Sequence, residues 1–276
     1  MKPIIKYVGG KHQLLPELRQ LITPELVEGH VYFEPFCGGA ALCLDLQPEK
    51  AILNDLNKEL INLYEVASNY PKSLISRLKI MQNEHSTDYY YKIRDWDRDQ
   101  EAFARMNSIA HAARFMYLNR TCFNGLWREN SKGFMNAPIG RTSNGKLPDI
   151  VQEAMIKELS AYFSDHVDLY CGNYLGVTCW ANPEDVLFLD PPYYFDDKTG
   201  FTAYQKNGFT LEDTQELKNE CDRLHKLGAK WVLTNDNNLA IKELFKEYKI
   251  KEVAVRRSIN RDGNNRNGSE VIITNI

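Results

Sequence analysis

No stretch of the chain approaches the roughly 18 consecutive apolar residues of a membrane-spanning helix, and Met1-Lys2-Pro3-Ile4-Ile5-Lys6 has no apolar core of a secretory signal. The expected setting is therefore cytoplasmic, with no membrane partner. Cysteine is sparse: Cys37, Cys43, Cys122, Cys171, Cys179 and Cys221 are scattered without C-x2-C spacing. That argues against a structural zinc site and for reduced thiols, so no metal is expected. The glycine patterns G-x-G-x-x-G and G-x-x-x-x-G-K-[ST] are both missing, as are internal repeats and low-complexity runs. Neither a dinucleotide pyrophosphate cradle nor a P-loop is indicated. Excess positive charge is lacking too: the formal net charge is -3, which argues against wholesale wrapping by nucleic acid.

What is present is ordinary globular composition, 43% hydrophobic and 26% charged over 276 residues, enough for one large domain or a core with an insertion. The distribution of charge says more than its sum. From Arg114 to Lys146 six basic residues face one acid, Glu129, and Lys251 to Arg266 holds a second basic excess. Together these stretches could grip a phosphate backbone.

Val31 to Phe36 reads as a strand and its exit, Cys37-Gly38-Gly39 as a turn, and Ala40 to Leu46 as a helix. A second strand, Ala51 to Asn54, ends at Asp55. This predicts the opening of a doubly wound α/β sheet, whose ligands bind beyond the carboxyl ends of the strands. Further strands are expected at Val167–Tyr170, Val186–Leu189, Trp231–Thr234, Val253–Val255 and Val271–Thr274, with a helix over Leu211–Lys226. Between Asn57 and about Ala161 the alternation gives way to helices, among them Lys58–Ala67, Pro71–Asn83 and Glu101–Leu118, followed by a basic loop. So long a stretch without sheet is read as an inserted lobe.

The strongest local signal is Asp190-Pro191-Pro192-Tyr193-Tyr194 at the end of the apolar run Val186-Leu187-Phe188-Leu189. Two prolines fix φ and donate no backbone hydrogen bond, so their carbonyls and the Asp190 carboxylate can form a row of acceptors. An exocyclic amino group fits such a row, with Tyr193 against the flat ring that bears it. A Pro-rich strand exit with packed aromatics is the competing interpretation.

Asp55 lies about 20 residues past the glycine turn, where an acid can accept bonds from ribose hydroxyls. Without the pyrophosphate spacing, a nucleoside cofactor lacking a diphosphate fits better than a nicotinamide. S-adenosyl-L-methionine is such a molecule, and the turn at Gly38 would pass close to its methionine part. Asp55 as a simple helix cap stands beside this. In the same way Lys6-Tyr7-Val8-Gly9-Gly10-Lys11 is either a small-anion site or a solvated turn.

These elements occur in one order: Lys6 to Lys11, Phe33-Glu34-Pro35-Phe36-Cys37-Gly38-Gly39-Ala40, then Asp190-Pro191-Pro192-Tyr193. In that order the chain resembles the Dam-type (D12 class, alpha group) DNA adenine-N6 methyltransferases. The likeness extends through Asn54-Asp55-Leu56-Asn57, Leu118-Asn119-Arg120, Phe123-Asn124-Gly125-Leu126, Phe201-Thr202-Ala203-Tyr204 and Ser269 to Asn275, nearly the whole chain. It implies a Rossmann-like methyltransferase sheet, residues 1–56 and 161–276, with a mainly helical DNA-recognition domain inserted at 57–160.

By the resemblance, Tyr7, Lys11, Glu34, Phe36, Asp55 and Asp190 contact or surround S-adenosyl-L-methionine, and Asn173-Tyr174 edges its adenine pocket. Asn173 stands where relatives often have Asp, and Tyr7 where Trp is common. The resemblance also implies duplex DNA as partner, GATC as target, and a restriction, phage or cellular marking role near the nucleoid of a bacterial or phage-infected cell. Arg128 would read a guanine edge, Leu126 and Pro138 a thymine methyl, and Lys6 the other guanine. Phe123-Asn124 would enter the space left by the displaced base. Arg120, Arg141, Arg256, Arg257 and Arg261 are assigned to phosphates, which position without specifying. The catalytic group is Asp190, Pro191, Pro192 and Tyr193, acting on a base rotated out of the helix. A monomer is expected in solution. Rival readings are a cytosine-N4 methyltransferase, a nicotinamide-dependent dehydrogenase and a catalytically idle DNA-binding module.

Overall fold

A computed structural model describes residues 1–7, 11, 13–125, 127–140, 148–194, 209–256 and 267–276, without the side chains of Arg256 and Asn267. Seven strands occur among the described residues: β1 (Tyr32–Glu34), β2 (Ala51–Asp55), β3 (Val167–Cys171), β4 (Val186–Leu189), β5 (Lys230–Asp236), β6 (Lys249–Arg256) and β7 (Asn267–Thr274). The helices with the largest part in the fold are α1 (Leu15–Ile22), α2 (Ala41–Leu46), α3 (Lys58–Asn69), α4 (Pro71–Asn83), α5 (Thr87–Arg94), α6 (Gln100–Ala104), α7 (Ser108–Thr121), α8 (Glu153–His166), α9 (Leu175–Thr178), α10 (Leu211–Leu227) and α11 (Leu239–Leu244).

The chain divides into two compact units, Met1–Gly10 with Gly38–Gln47 and Asp55–Cys171, and Lys11–Cys37 with Pro48–Asn54 and Gly172–Ile276. In the second unit the strands run in the order β2-β1-β4-β5-β7-β6. β1 pairs in parallel with β2 and β4, and β4 with β5, while β7 lies antiparallel to β5 and β6. Strand order reverses between β1 and β4, the place where α/β sheets of this type hold ligands. Every residue of β4 is buried, so its four apolar side chains serve both faces of the sheet. One face packs on α10 through Leu187, Leu189, Leu217, Leu224 and Trp231. α10 begins with a capping box, in which the Thr210 side chain accepts from Asp213 N–H and the Asp213 carboxylate accepts from Thr210 N–H.

The first unit is mainly helical and centres on α7, which α3, α4 and α5 surround. α7 buries Ala112 through Asn119 almost without interruption, as a helix enclosed on all sides must. The helix expected over Glu101–Leu118 is instead two, α6 and α7. Asn107 separates them: its backbone is extended (φ -77°, ψ 163°) and its side chain accepts from Ala110 N–H at 2.9 Å, so α7 starts afresh. Likewise β6 is longer than the expected Val253–Val255, because backbone pairing with β7 carries an edge strand through charged Lys249, Lys251 and Glu252.

Candidate functional site

β4 ends at Leu189, paired with Leu233 of β5, so Asp190 emerges beside Thr234. The Thr234 hydroxyl donates to Asp190 Oδ1 at 2.7 Å. Lys11 Nζ, almost wholly buried, approaches the same oxygen at 3.0 Å. No described residue donates to Oδ2, and about a fifth of the side chain stays exposed (21%). One carboxylate oxygen is thus fixed, and the other takes no bond from a described residue.

Tyr193 is anchored on the same edge of the sheet. Its hydroxyl donates to Glu270 Oε2 at 2.9 Å, and Lys11 Nζ sits 4.7 Å from its ring centroid and 3.9 Å from that Glu270 oxygen. The ammonium therefore lies over one face of the ring. Burial, together with the carboxylates of Asp190 and Glu270, pushes the Tyr193 phenol well above its usual range, so it remains a neutral donor. Pro191 is buried and Pro192 exposed.

Nearby in the second unit, Glu34 closes β1 in a buried position, and Phe36 packs on Tyr174 with ring centroids 5.0 Å apart and planes tilted by 33°. The Tyr174 hydroxyl is buried with no hydrogen-bond partner among the described residues. The Asn173 side-chain oxygen accepts from Leu175 N–H at 2.9 Å, capping the turn into α9.

Tyr7, Gly38 and Asp55 belong to the first unit. Gly38 has φ +45°, and a Cβ there would come within 2.8 Å of the Tyr7 ring, so only glycine lets backbone and ring meet. Its N–H donates to Asp55 Oδ2 at 3.0 Å, and Asn57 N–H donates to Oδ1 at 2.9 Å. Burial raises the Asp55 pKa, opposed by the backbone N–H groups of Asn57, Gly38 and Leu56. The cap of α3 is Asn57, whose side chain accepts from Glu59 and Leu60 N–H. Asp55 is thus not that cap, and its carboxylate serves the turn at Gly38.

The first unit also gathers most of the residues expected to face DNA. Asn119, buried in α7, accepts from Lys6 N–H at 2.8 Å and donates to Lys6 C=O at 2.6 Å. Gly125, at φ +68°, packs against the Lys6 side chain, where a Cβ would come within 2.7 Å. Lys6, Phe123, Asn124, Arg128 and Pro138 are exposed. Phe123 N–H donates to Pro138 C=O at 2.9 Å, and Asn124 takes a left-handed conformation (φ 55°) that asparagine tolerates. Arg128 Nε donates to Asn136 Oδ1 at 2.8 Å, which aims its guanidinium. Arg120 Nε donates to Asp149 C=O at 3.1 Å.

Arg114 leaves the basic surface altogether: it is buried, paired with Asp97 at 2.8 Å, and bonded to the carbonyls of Ile93 and Arg94. Leu126, Arg141, Arg257 and Arg261 lie outside the described residues, as do Val8, Gly9, Gly10 and the Arg256 side chain. Thr234, Glu270 and Asn119 are not among the expected site residues. Strand pairing brings Thr234 to Asp190 and Glu270 to Tyr193, and in sequence only the Ser269-Glu270 and Leu118-Asn119 motifs signal Glu270 and Asn119.

A mixed sheet whose order reverses beside a partly exposed carboxylate and an anchored tyrosine defines an α/β enzyme scaffold. Residues 7–259 match the family described as D12 class N6 adenine-specific DNA methyltransferase, and the chain belongs to it. It is 36% identical to the type II methyltransferase M1.LlaDCHI of Lactococcus lactis subsp. cremoris, over 100% of this chain and 95% of that one. It is 33% identical to the type II methyltransferase M.MjaIII of Methanocaldococcus jannaschii (100% and 99%). Identity to the DNA adenine methylase of Escherichia coli K12 is 29% (96% and 91%). Among the described residues no helix is long and apolar enough to cross a membrane, and no group of His, Cys, Asp and Glu could hold a metal ion.

Proposed function

We propose that this protein is a site-specific adenine methyltransferase that uses S-adenosyl-L-methionine to methylate N6 of an adenine swung out of duplex DNA, with GATC as the target. The observation that supports the reading is Asp190 at the reversal of strand order, with Thr234 and Lys11 on one oxygen and no described residue donating to the other. Relatives named DNA adenine methylases favour adenine as the base, and relatives named type II methyltransferases favour a restriction-modification setting.

The donor fits the residues present. Phe36 and Tyr174 offer an aromatic edge for an adenine, and the Tyr174 hydroxyl, without a partner among the described residues, offers it a polar contact. Asp55 keeps lone pairs beyond those taken by Gly38 and Asn57, enough for ribose hydroxyls. Tyr7, Lys11, Glu34, Gly38 and Asn173 complete the assigned set. When bound, S-adenosyl-L-methionine supplies a sulfonium methyl whose bond to sulfur breaks as its bond to N6 forms.

The chain does the rest by positioning. Tyr193 lies against the displaced base, and Asp190 Oδ2 with the Pro191 carbonyl accepts from its NH2, turning the nitrogen lone pair out of the ring plane. Fixed by Lys11 and Thr234, the carboxylate meets growing positive charge on nitrogen without reorganising. Water takes the N6 proton after transfer. Lys6, Phe123, Asn124, Leu126, Arg128 and Pro138 would read the duplex, and Arg120, Arg141, Arg256, Arg257 and Arg261 would grip its phosphates. In this reading residues 57–160 form the recognition domain, and the protein works as a cytoplasmic monomer.

Incubating the protein with methyl-labelled donor and random-sequence duplex, then mapping the modified bases, tests the reading. N6-methyladenine confined to one motif is expected. Asp190→Asn should slow transfer at least about 10²-fold while leaving DNA affinity intact. Methylated cytosine, or full turnover in that variant, would overturn the assignment.

A further inference from the structure

We propose that Glu270 is a positioning residue for methyl transfer that acts through the hydroxyl of Tyr193; this rests on the reading above, in which Tyr193 receives the displaced base. Glu270 sits inside β7, opposite Asp236 of β5 and Val253 of β6. Glutamate is disfavoured in strand interiors, and burying a carboxylate is costly unless it is paired. Its side chain is only 17% exposed. Strand propensity therefore does not account for it, whereas its partners do: the Tyr193 hydroxyl at 2.9 Å and Lys11 Nζ at 3.9 Å. Both belong to the candidate active edge, and Lys11 also holds Asp190.

The hydroxyl is the far end of the ring. Fixing it removes the swing that would otherwise carry the ring face away from a stacked base, and the charge-assisted bond is stronger than a neutral one. Because β7 runs antiparallel, it enters the sheet at the edge where β4 and β5 end. Glu270 of β7, Thr234 of β5 and Asp190 at the exit of β4 therefore lie along one edge. Thr234 fixes the acid and Glu270 holds the ring hydroxyl, to which Thr234 also bonds, while Lys11 contacts both carboxylates.

The test compares wild type, Glu270→Ala, Glu270→Gln, Tyr193→Phe and the double variant Tyr193→Phe/Glu270→Ala on a duplex carrying the mapped target. Single-turnover rates, KM for DNA and donor, and thermal unfolding are measured for each. Glu270→Ala and Tyr193→Phe should each slow transfer about 10- to 100-fold, the range a small misplacement of reacting groups produces. Both KM values should stay within about twofold, since the interaction acts on the transition state rather than on binding. Glu270→Gln should recover most of the rate, because its amide oxygen still accepts from the hydroxyl. The double variant should be no slower than the slower single one.

Tyr193→Phe keeps the ring and the packing, so it tests the inference even if Glu270→Ala fails to fold. A wild-type rate in Tyr193→Phe, multiplied losses in the double variant, or a raised KM at unchanged rate would overturn it. A wild-type protein that makes no N6-methyladenine would remove the parent reading and this inference with it. That outcome is distinct from an active wild type whose Tyr193→Phe variant is unaffected.

Discussion

A guanidinium removed from water must find a partner for each face, and Arg114 does. Asp97 pairs with it at 2.8 Å, Ile93 and Arg94 carbonyls accept from it, and Phe103 lies 4.9 Å from its guanidinium carbon. Burial lowers its pKa, and Asp97 works against that shift. Removing one partner of a buried pair strands the other, so Arg114→Ala should destabilise the fold by about 3–5 kcal/mol in urea unfolding. Loss below 1 kcal/mol would mean that the pair is dispensable. In sequence Arg114 is one cation of a basic stretch, because charge counts carry no information about burial. Asp190 is legible for the opposite reason: an acid and two prolines after four apolar residues is a local pattern. Its supports are not local. Thr234 reaches it, and Glu270 reaches Tyr193 beside it, only through the β4–β5 and β5–β7 registers, which no short motif encodes.

Elements with a single strong determinant were readable, and those built by pairing were less so. Val186–Leu189 declares itself by unbroken apolarity, and the helix expected over Leu211–Lys226 is α10, whose start the Thr210 capping box fixes. The edge strand Lys249–Arg256 carries too many charges to stand out, and the break before α7 depends on one asparagine cap. The same dependence on single contacts governs the exposed loop after α7. Asn119 ties Lys6 to the turn at Gly125, and Asn136 orients Arg128. An aimed guanidinium can make two bonds to guanine, so Arg128→Ala should lose about 1–3 kcal/mol of discrimination at one base of the target. Competition between the target duplex and single-substitution duplexes measures this. Equal weakening on every duplex would make Arg128 a phosphate contact instead.

At the scale of the whole molecule, a net charge of -3 gives no general attraction to DNA, so affinity must come from cations in particular places. The proposed function puts five arginines on phosphates: Arg120, Arg141, Arg256, Arg257 and Arg261. Each phosphate contact releases counterions and contributes about -0.9 to the slope of log affinity against log salt, which for five contacts predicts a slope of about -4 to -5. Between about 50 and 200 mM salt, affinity should then fall by roughly 10²- to 10³-fold, on target and scrambled duplex alike. Arg120→Ala should make the slope shallower by about one on both duplexes, whereas Arg128→Ala should change mainly the preference between them. Equilibrium titrations of the two duplexes across that salt range separate the roles. A slope near zero would leave the acidic molecule without the phosphate grip that its hold on DNA requires.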